Sequence, residues 1–216
     1  MTSVEDLSAP TCDGMAAPEF CSGLAIVSKT PIKNVQFFGF SNHGDAFWDY
    51  EYFLRRGLGA ATIELGPGHT VVVIVTSLAS LDYNYWYREH QVAELVTWLS
   101  DTVVKAADHL ILAGDFNVDP RDNEDTLTTV AAALTNTLSD AEASDPSFVT
   151  LGNKNNTYTS RGQAGRIYDY IWYRPGGTKL ESLQVLNLRT QKEELSLSDH
   201  QAQSARFTLS RQYESS

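Results

Sequence analysis

Cysteine is scarce in this sequence: only Cys12 and Cys21 occur among its 216 residues. No further cysteine or suitably spaced histidine accompanies them, which argues against a structural zinc site. The pair predicts either two reduced thiols or a disulfide closing a small loop, and both stay open. A disulfide would place the protein outside the cell if the full product carries a signal peptide; reduced thiols would fit the cytoplasm. The compartment is therefore left unassigned.

Basic residues are also few. The chain has 16 Lys and Arg against 27 Asp and Glu, which gives a net charge of −11. Nucleic-acid backbones are bound by clustered Lys and Arg, so this balance argues against a broad nucleic-acid groove, and no nucleic-acid partner is expected. A phosphate-containing substrate stays compatible, because a bound divalent cation can supply positive charge locally.

Long apolar runs are missing as well. No stretch approaches the roughly 20 apolar residues of a membrane-spanning helix, and the acidic N-terminus MTSVEDLSAP does not resemble a signal peptide. Hydrophobic residues nevertheless make up 42% of the chain, enough for one substantial core. We expect an irregular segment over residues 1–20, a single folded domain over residues 21–210, and a short tail over residues 211–216.

Apolar periodicity divides this domain into short strands and two helices. Residues 87–107 carry a stripe at helical spacing, and residues 124–134 predict a second helix. Several strands follow one another directly, which favours an α+β fold, a sandwich of sheets with outer helices, over a doubly wound parallel sheet. Strands are predicted at residues 23–27, 60–65, 70–76, 109–113, 167–173, 184–188 and 205–209, and a long loop at residues 140–165.

Three of these segments run up to ionisable side chains. Asp115 and Asn117 end LILAGDFN, and Asp169 interrupts the aromatic strand RIYDYIWYR. Asp199 and His200 follow the apolar Leu-Ser-Leu. Each cluster alone has a simpler interpretation. The Asp115 and Asp199 clusters could each form a turn, and Asp169 could belong to a structural ion pair. Together they predict a site, because these residue types bind metals, hold phosphate oxygens and move protons.

The same three segments resemble the endonuclease/exonuclease/phosphatase superfamily, also called DNase I-like. AGDFN, the RIYDYIWYR strand and the SDH ending carry this resemblance, which covers about residues 20–210. Three further stretches are similar to its neutral sphingomyelinase branch. They are GLAIVSKTPI (residues 23–32), HGDAFW followed by RRGLGAA (residues 43–61), and YREHQVAEL (residues 87–95).

The resemblance implies a fold and a reaction. The fold would be a four-layer α/β sandwich, two packed mixed β-sheets flanked by helices. The reaction would be phosphoester hydrolysis, usually with Mg²⁺. His200 would be the general base that deprotonates the attacking water, and Asp169 would orient its imidazole. The remaining candidates are Asp115 and Asn117 for positioning the water, Asp115 and Asp199 for the metal, and Asn117, Arg56 and Ser77 for the substrate.

The sequence departs from the family pattern in three places. The family's first strand–helix–strand unit, with its Thr-x-Asn motif and the Leu-Gln-Glu strand whose Glu binds the metal, has no counterpart, and neither Glu5 nor Glu19 marks a replacement. Ser77 stands where the family has a transition-state histidine, and losing one such donor costs about 10²–10³ in rate. Tyr168 is an insertion, which reverses strand facing unless a bulge absorbs it.

Three functional hypotheses follow. The first is a Mg²⁺-dependent phosphodiesterase that acts on a phospholipid such as sphingomyelin. The aromatic stretch at residues 37–53 would then be either a peripheral membrane contact or part of the core. The second is an inactive scaffold that binds a phosphorylated lipid or a protein partner, and the third is a DNase I-like nuclease, which the charge disfavours. No oligomeric state is predicted.

Overall fold

The computed structural model describes most of the chain from residue 23 to residue 210. The described residues are 3–6, 23–42, 44, 50–54, 56–67, 69–101, 107, 109–122, 125–136, 149–152, 156–158, 165–175, 177–186, 188–189 and 195–210. Cys12, Cys21, the tail at residues 211–216 and much of the predicted loop at residues 140–165 lie outside this set.

Ten strands and two α-helices are described. The strands are β1 Ser3–Asp6, β2 Ala25–Ser28, β3 Ile32–Gly39, β4 Gly57–Gly66, β5 His69–Ser77, β6 Leu110–Asp115, β7 Thr135–Asn136, β8 Asp169–Tyr173, β9 Thr178–Leu186 and β10 Ala202–Leu209. The helices are α1 Tyr85–Asp101 and α2 Thr126–Ala131, with short 3₁₀ turns at Tyr50–Phe53 and Asp82–Asn84. Among the described residues, no helix combines the length and apolarity that crossing a membrane would require.

A mixed six-stranded sheet forms the centre of the molecule, in the order β3-β4-β5-β6-β8-β7. The predicted hairpin around Gly66-Pro67-Gly68 is β4 and β5, and β5 then pairs in parallel with β6. The two remaining sheets are antiparallel pairs, β1 with β2 and β9 with β10. Packed sheets with helices outside are the predicted class of fold, and this prediction is confirmed.

The two faces of the central sheet are covered differently because successive strand residues point to opposite sides. One face packs against α1 and α2 through a large core that includes Ile74, Leu112 and Trp172. On the other face lies a smaller cluster, in which Ile26 from β2 packs with Ala61 and its neighbours and Leu209 from β10 contributes. Both small sheets therefore contribute side chains to the face opposite the helices.

Helix α1 confirms the predicted apolar stripe as far as Asp101, and residues 102–106 of the predicted helix lie outside the described residues. Val92, Leu95 and Leu99 are buried in the larger core, and Val96 packs against it. These positions recur every three or four residues, so they share one side of the helix. The described helix begins two residues earlier than predicted and ends at Asp101.

Three of the described strands were not predicted: β1, β3 and the two-residue β7. Residues 1–20 were expected to be irregular, but Ser3–Asp6 pairs antiparallel with β2, which puts Glu5 in a strand. Its sequence SVED has a single strongly apolar residue, so no alternation marks it. Strand β3 was hidden because its register with β4 shifts between Lys33 and Gln36, where Asn34 has a positive φ of 51°.

The aromatic stretch at residues 37–53 lies at least partly in the core. Phe40 is buried, and Phe38 packs beside it with the two rings 6.2 Å apart. Tyr52 is exposed, whereas Phe47 and Trp48 lie outside the described residues. The membrane contact suggested for this stretch stays a prediction.

Candidate active site

Three adjacent strands of the central sheet end in a row of polar side chains. Ser77 on β5 is the register partner of Asp115 on β6, and Asp115 is the partner of Asp169 on β8. Ser77 and Asp115 are the last residues of their strands, and Asp169 is the first residue of its antiparallel strand. Each alternates with the apolar residues that face the helices, so all three side chains leave the sheet on the opposite face. The two carboxylates, remote in sequence, thereby become neighbours.

His200 meets this row from the segment that leads into β10. Its Nδ1 donates a hydrogen bond of 2.7 Å to Oδ2 of Asp169. This bond, together with the Asp169 charge and against the opposing effect of burial, raises the pKa of His200 to about 9. The predicted meeting of His200 and Asp169 is therefore present, and the orientation leaves Nε2 as the nitrogen able to face a substrate.

A buried threonine that the sequence reasoning missed joins the two segments of this pair. The Thr150 hydroxyl accepts hydrogen bonds from the backbone N–H groups of Tyr168 (2.9 Å) and Asp169 (3.2 Å). The Thr150 carbonyl accepts another from Gln201, the residue after His200. Thr150 thus fixes both partners, but a lone Thr in a Ser- and Asn-rich stretch carries no signal for such a role.

Asp115 is a carboxyl whose pKa is clearly raised. Burial and the neighbouring Asp169 charge raise its pKa to about 6, although His200 opposes this shift. Asn117 adopts a left-handed conformation with φ of 52°, and its backbone N–H donates to Oδ1 of Asp115 at 2.9 Å. The Asn117 amide donates to the Leu78 carbonyl at 3.0 Å. The turn interpretation is confirmed for these two residues, and their role in a catalytic site stays a prediction.

The inserted residue leaves the site intact. Tyr168 precedes β8, and its carbonyl accepts a hydrogen bond of 2.8 Å from the N–H of Phe116, beside Asp115. The extra residue is absorbed in this irregular approach, so Asp169 keeps its place on the site face. Buried Asp119 steadies the same approach by accepting from Ile167 and Arg121. Those hydrogen bonds outweigh burial and lower its pKa to about 2.

A divalent cation fits the row. Ligand atoms of Asp115, Asp169 and His200 all lie within 4.8 Å of one another. Mg²⁺ is held by one or two carboxylates plus water. Burial first, and then the charge of Asp169, raises the pKa of Asp115, and a bound cation would favour its ionised form. The carboxylates of Asp115 and Asp169 are therefore suitable ligands, whereas Nδ1 of His200 is already engaged. Asp199 is exposed and outside this group, so its metal role stays a prediction.

An arginine completes the row on its far side. The Arg56 guanidinium donates to the Ser77 hydroxyl at 2.5 Å, and its charge partly opposes the rise in the pKa of Asp115. Arg56 also donates twice to Glu51, which is fully buried. The sequence reasoning singled out Arg56 and Ser77 but missed Glu51. The only sequence signal for Glu51 was an acidic residue five positions before the arginine, in an aromatic run.

This combination of side chains is typical of one class of protein. An Asp–His pair, a second carboxylate and an anchored arginine at one sheet end are groups of the kind that metal-dependent phosphoester hydrolases use. The chain belongs to the endonuclease/exonuclease/phosphatase family, whose profile matches residues 18–200. Proteins of this family are metal-dependent hydrolases of phosphoesters, including nucleases.

Solved structures share the fold at low sequence identity. TDP2 from D. rerio, crystallised with a single-strand DNA product, is 16% identical with a TM-score of 0.63, over 82% of this chain and 68% of that one. The human Nocturnin catalytic domain with bound sulfate is 22% identical with a TM-score of 0.60, over 83% and 60%. A conserved protein of unknown function from Enterococcus faecalis V583 is 15% identical with a TM-score of 0.67, over 97% and 77%. No curated protein matches the chain in sequence.

Proposed function

We propose that this protein is a divalent-metal-dependent phosphodiesterase in which His200 is the general base. The observation that supports this most strongly is the 2.7 Å hydrogen bond between His200 and Asp169, one strand away from Asp115. Nε2 of His200 takes the proton of the attacking water while Asp169 holds Nδ1 and balances the charge of the imidazolium. Asp115 and Asn117 orient that water and a phosphate oxygen.

Mg²⁺ is the proposed cofactor, with Asp115 and Asp169 as its carboxylate ligands. When bound, it would neutralise the negative charge that develops on the phosphate oxygens and the leaving group. On the opposite side, Arg56 donates hydrogen bonds to a phosphate oxygen, with Ser77 beside it. A base must be unprotonated to act. Because the pKa of His200 is about 9 without metal, the rate is expected to rise as the pH increases from neutrality.

We propose a phospholipid head-group phosphodiester, as in sphingomyelin, as the substrate. The stretches at residues 23–32, 43–61 and 87–95 support this proposal through their similarity to neutral sphingomyelinases. The net charge of −11 supports it too, because a zwitterionic lipid is not repelled as a nucleic-acid backbone is. One observation favours a second candidate, a single-stranded nucleic-acid end: TDP2, which shares the fold, was crystallised with a single-strand DNA product.

Hydrolysis assays test both the assignment of His200 as the general base and the proposed substrate. With Mg²⁺ and bis(p-nitrophenyl) phosphate, His200→Ala should lower the rate by about 10²–10⁴-fold. His90→Ala is the matched control, since His90 is an exposed residue of α1 that contacts Trp86. Equal rates for wild type and His200→Ala would overturn the base assignment. Sphingomyelin vesicles and a single-stranded oligonucleotide, assayed in parallel, decide between the two substrates.

The inactive-scaffold alternative has its own test. Calorimetric titration with Mg²⁺ should show binding in the wild type and weaker binding in Asp115→Asn. Failure of the wild type to bind Mg²⁺ at millimolar concentrations, together with no hydrolysis of any diester, would favour a binding protein on the same scaffold.

A further inference from the structure

We propose that Glu51 is a positioning residue that holds Arg56 against the phosphate position, so that the site contains a pre-aligned anion-binding guanidinium. This inference rests on the proposed function, since it assigns the group that orients one of its substrate-binding residues. Neither Glu51 nor the 3₁₀ turn that carries it has any place in the metal or general-base chemistry described above.

The geometry of the pair is bidentate. Nε of Arg56 donates to Oε2 of Glu51 and Nη2 donates to Oε1, both at 2.8 Å. Two parallel bonds of this kind fix the plane of the guanidinium as well as its position. Nη1 donates to the Ser77 hydroxyl, so three of the five N–H groups have partners in the described part of the chain. The other two N–H groups have no partner among the described residues, and the proposal assigns them to the oxygens of an anion.

Glu51 is itself held rigidly. Its Oε1 also accepts from the backbone N–H of Ser80 at 2.9 Å and from the Ser80 hydroxyl at 2.5 Å. Burial alone would raise the pKa of Glu51, but the hydrogen bonds and charge of Arg56, with those from Ser80, lower it below its ordinary range. The carboxylate therefore stays ionised while fully buried, which requires Arg56 to remain beside it.

The position of the pair links it to the site. Arg56 immediately precedes Gly57, which is the register partner of Ser77, and Ser77 is the partner of Asp115. The Arg56 side chain is only 15% exposed. An exposed salt bridge that served stability alone would not need such a rigid, buried arrangement. A guanidinium fixed at the end of the row, in contrast, can bind a phosphate without first being reoriented. The ligand that Arg56 would bind is a phosphate group, through one of its anionic oxygens.

Binding of inorganic phosphate to the full chain in the presence of Mg²⁺ tests this inference without relying on turnover. Arg56→Gln should weaken phosphate binding by about 10–100-fold, the value of a hydrogen bond to a charged group. Glu51→Gln should weaken it in the same direction by about tenfold, because the arginine loses its orientation. In the double variant the two losses should not multiply, since Glu51 acts through Arg56.

A matched control comes from another carboxylate–arginine pair. Asp122 accepts from Arg166 at 2.7 Å, outside the row, so Asp122→Asn should leave phosphate binding unchanged. Should Glu51→Gln fail to fold, Ser80→Ala removes one of the donors that hold Glu51 and should weaken phosphate binding about two- to fivefold. Circular dichroism establishes that each variant is folded.

Several results would overturn the inference. They are unchanged phosphate affinity in folded Glu51→Gln or in Ser80→Ala, losses that multiply in the double variant, or a wild type that binds no phosphate. Failure of the proposed function is a separate result. A wild type that binds phosphate through Glu51 and Arg56 but hydrolyses no diester refutes only the hydrolase assignment, and hydrolysis that is indifferent to Glu51 refutes only the positioning role.

Discussion

Replacing Asp169 by Asn should change how the stability of the metal-free protein depends on pH. In the wild type the pKa of His200 is raised from 6.5 to about 9, chiefly by its hydrogen bond to Asp169. The native state therefore holds a proton that the unfolded chain releases within this range. The stabilisation is complete below pH 6.5 and is lost as the pH rises through about 9.

The magnitude follows from the pKa shift and the exposure of the pair. Each pKa unit corresponds to about 1.4 kcal/mol, so a pair fully shielded from solvent would contribute about 3 kcal/mol. The side chains of His200 and Asp169 are 25% and 24% exposed, and screening by solvent reduces the contribution to about 2 kcal/mol. In Asp169→Asn most of this pH dependence should disappear, because a neutral amide does not stabilise the imidazolium.

Urea unfolding in the presence of EDTA measures the effect, with tryptophan fluorescence as the probe. The free energy of unfolding would be compared at about pH 6, 7.5 and 9.5, which spans the titration of the pair. Asp122→Asn is the control, since Arg166 does not titrate here and any loss should be the same at each pH. The reasoning is refuted if Asp169→Asn keeps the wild-type slope, or if wild-type stability rises with pH across this window.

Two other substitutions give further predictions. Asp115→Asn should stabilise the metal-free protein above pH 6 by about 1–2 kcal/mol in the same urea assay, because a pKa raised to about 6 means that ionisation opposes folding. The same variant should lose most of the rise in Tm that Mg²⁺ gives the wild type in differential scanning fluorimetry; an undiminished rise would contradict the ligand assignment. Gly114→Ala should destabilise by about 1–3 kcal/mol, since a Cβ there would lie 2.1 Å from the Thr76 carbonyl oxygen. Gly66→Ala, with no heavy atom within 4 Å, is its control in urea, and equal midpoints for the two would be evidence against this packing argument.

The fold was predictable wherever one periodicity ran unbroken. The apolar runs of β5 and β6 and the stripe of α1 identified the centre of the molecule. Strand β1 was not predicted because only its backbone pairing with β2, and no pattern of side chains, defines it. Strand β3 was not predicted because a register shift between Lys33 and Gln36 interrupts its alternation. Alternation of apolar and polar residues predicts a strand only when one face of that strand is buried. Where little of the strand is buried, or where its register shifts, the alternation is weak and the strand is missed.

The site was predictable in part for a related reason. Asp115 is the last residue of an apolar strand, Asp169 is the first residue of another, and His200 belongs to a recognisable motif, so the three residue types together predicted one site. Glu51 acts through a side chain on a 3₁₀ turn, and Thr150 acts through a hydroxyl in a loop. Arg56 is only five residues from Glu51, but Ser80 and the residues that the Thr150 hydroxyl binds lie 18 or more residues away. Nothing local distinguishes such residues, since only the folded chain brings them to the groups they hold.

The row formed by Ser77, Asp115 and Asp169 has a consequence for how this active centre can change. Hydrogen-bonded strands lie about 4.8 Å apart, so the backbone sets the spacing of these positions irrespective of which side chains occupy them. A substitution can therefore replace one functional group by another, such as an imidazole by the hydroxyl at position 77, while the distances between the neighbouring backbone positions stay the same. The side-chain chemistry of this site can change without a change in its backbone geometry, because the sheet sets that geometry.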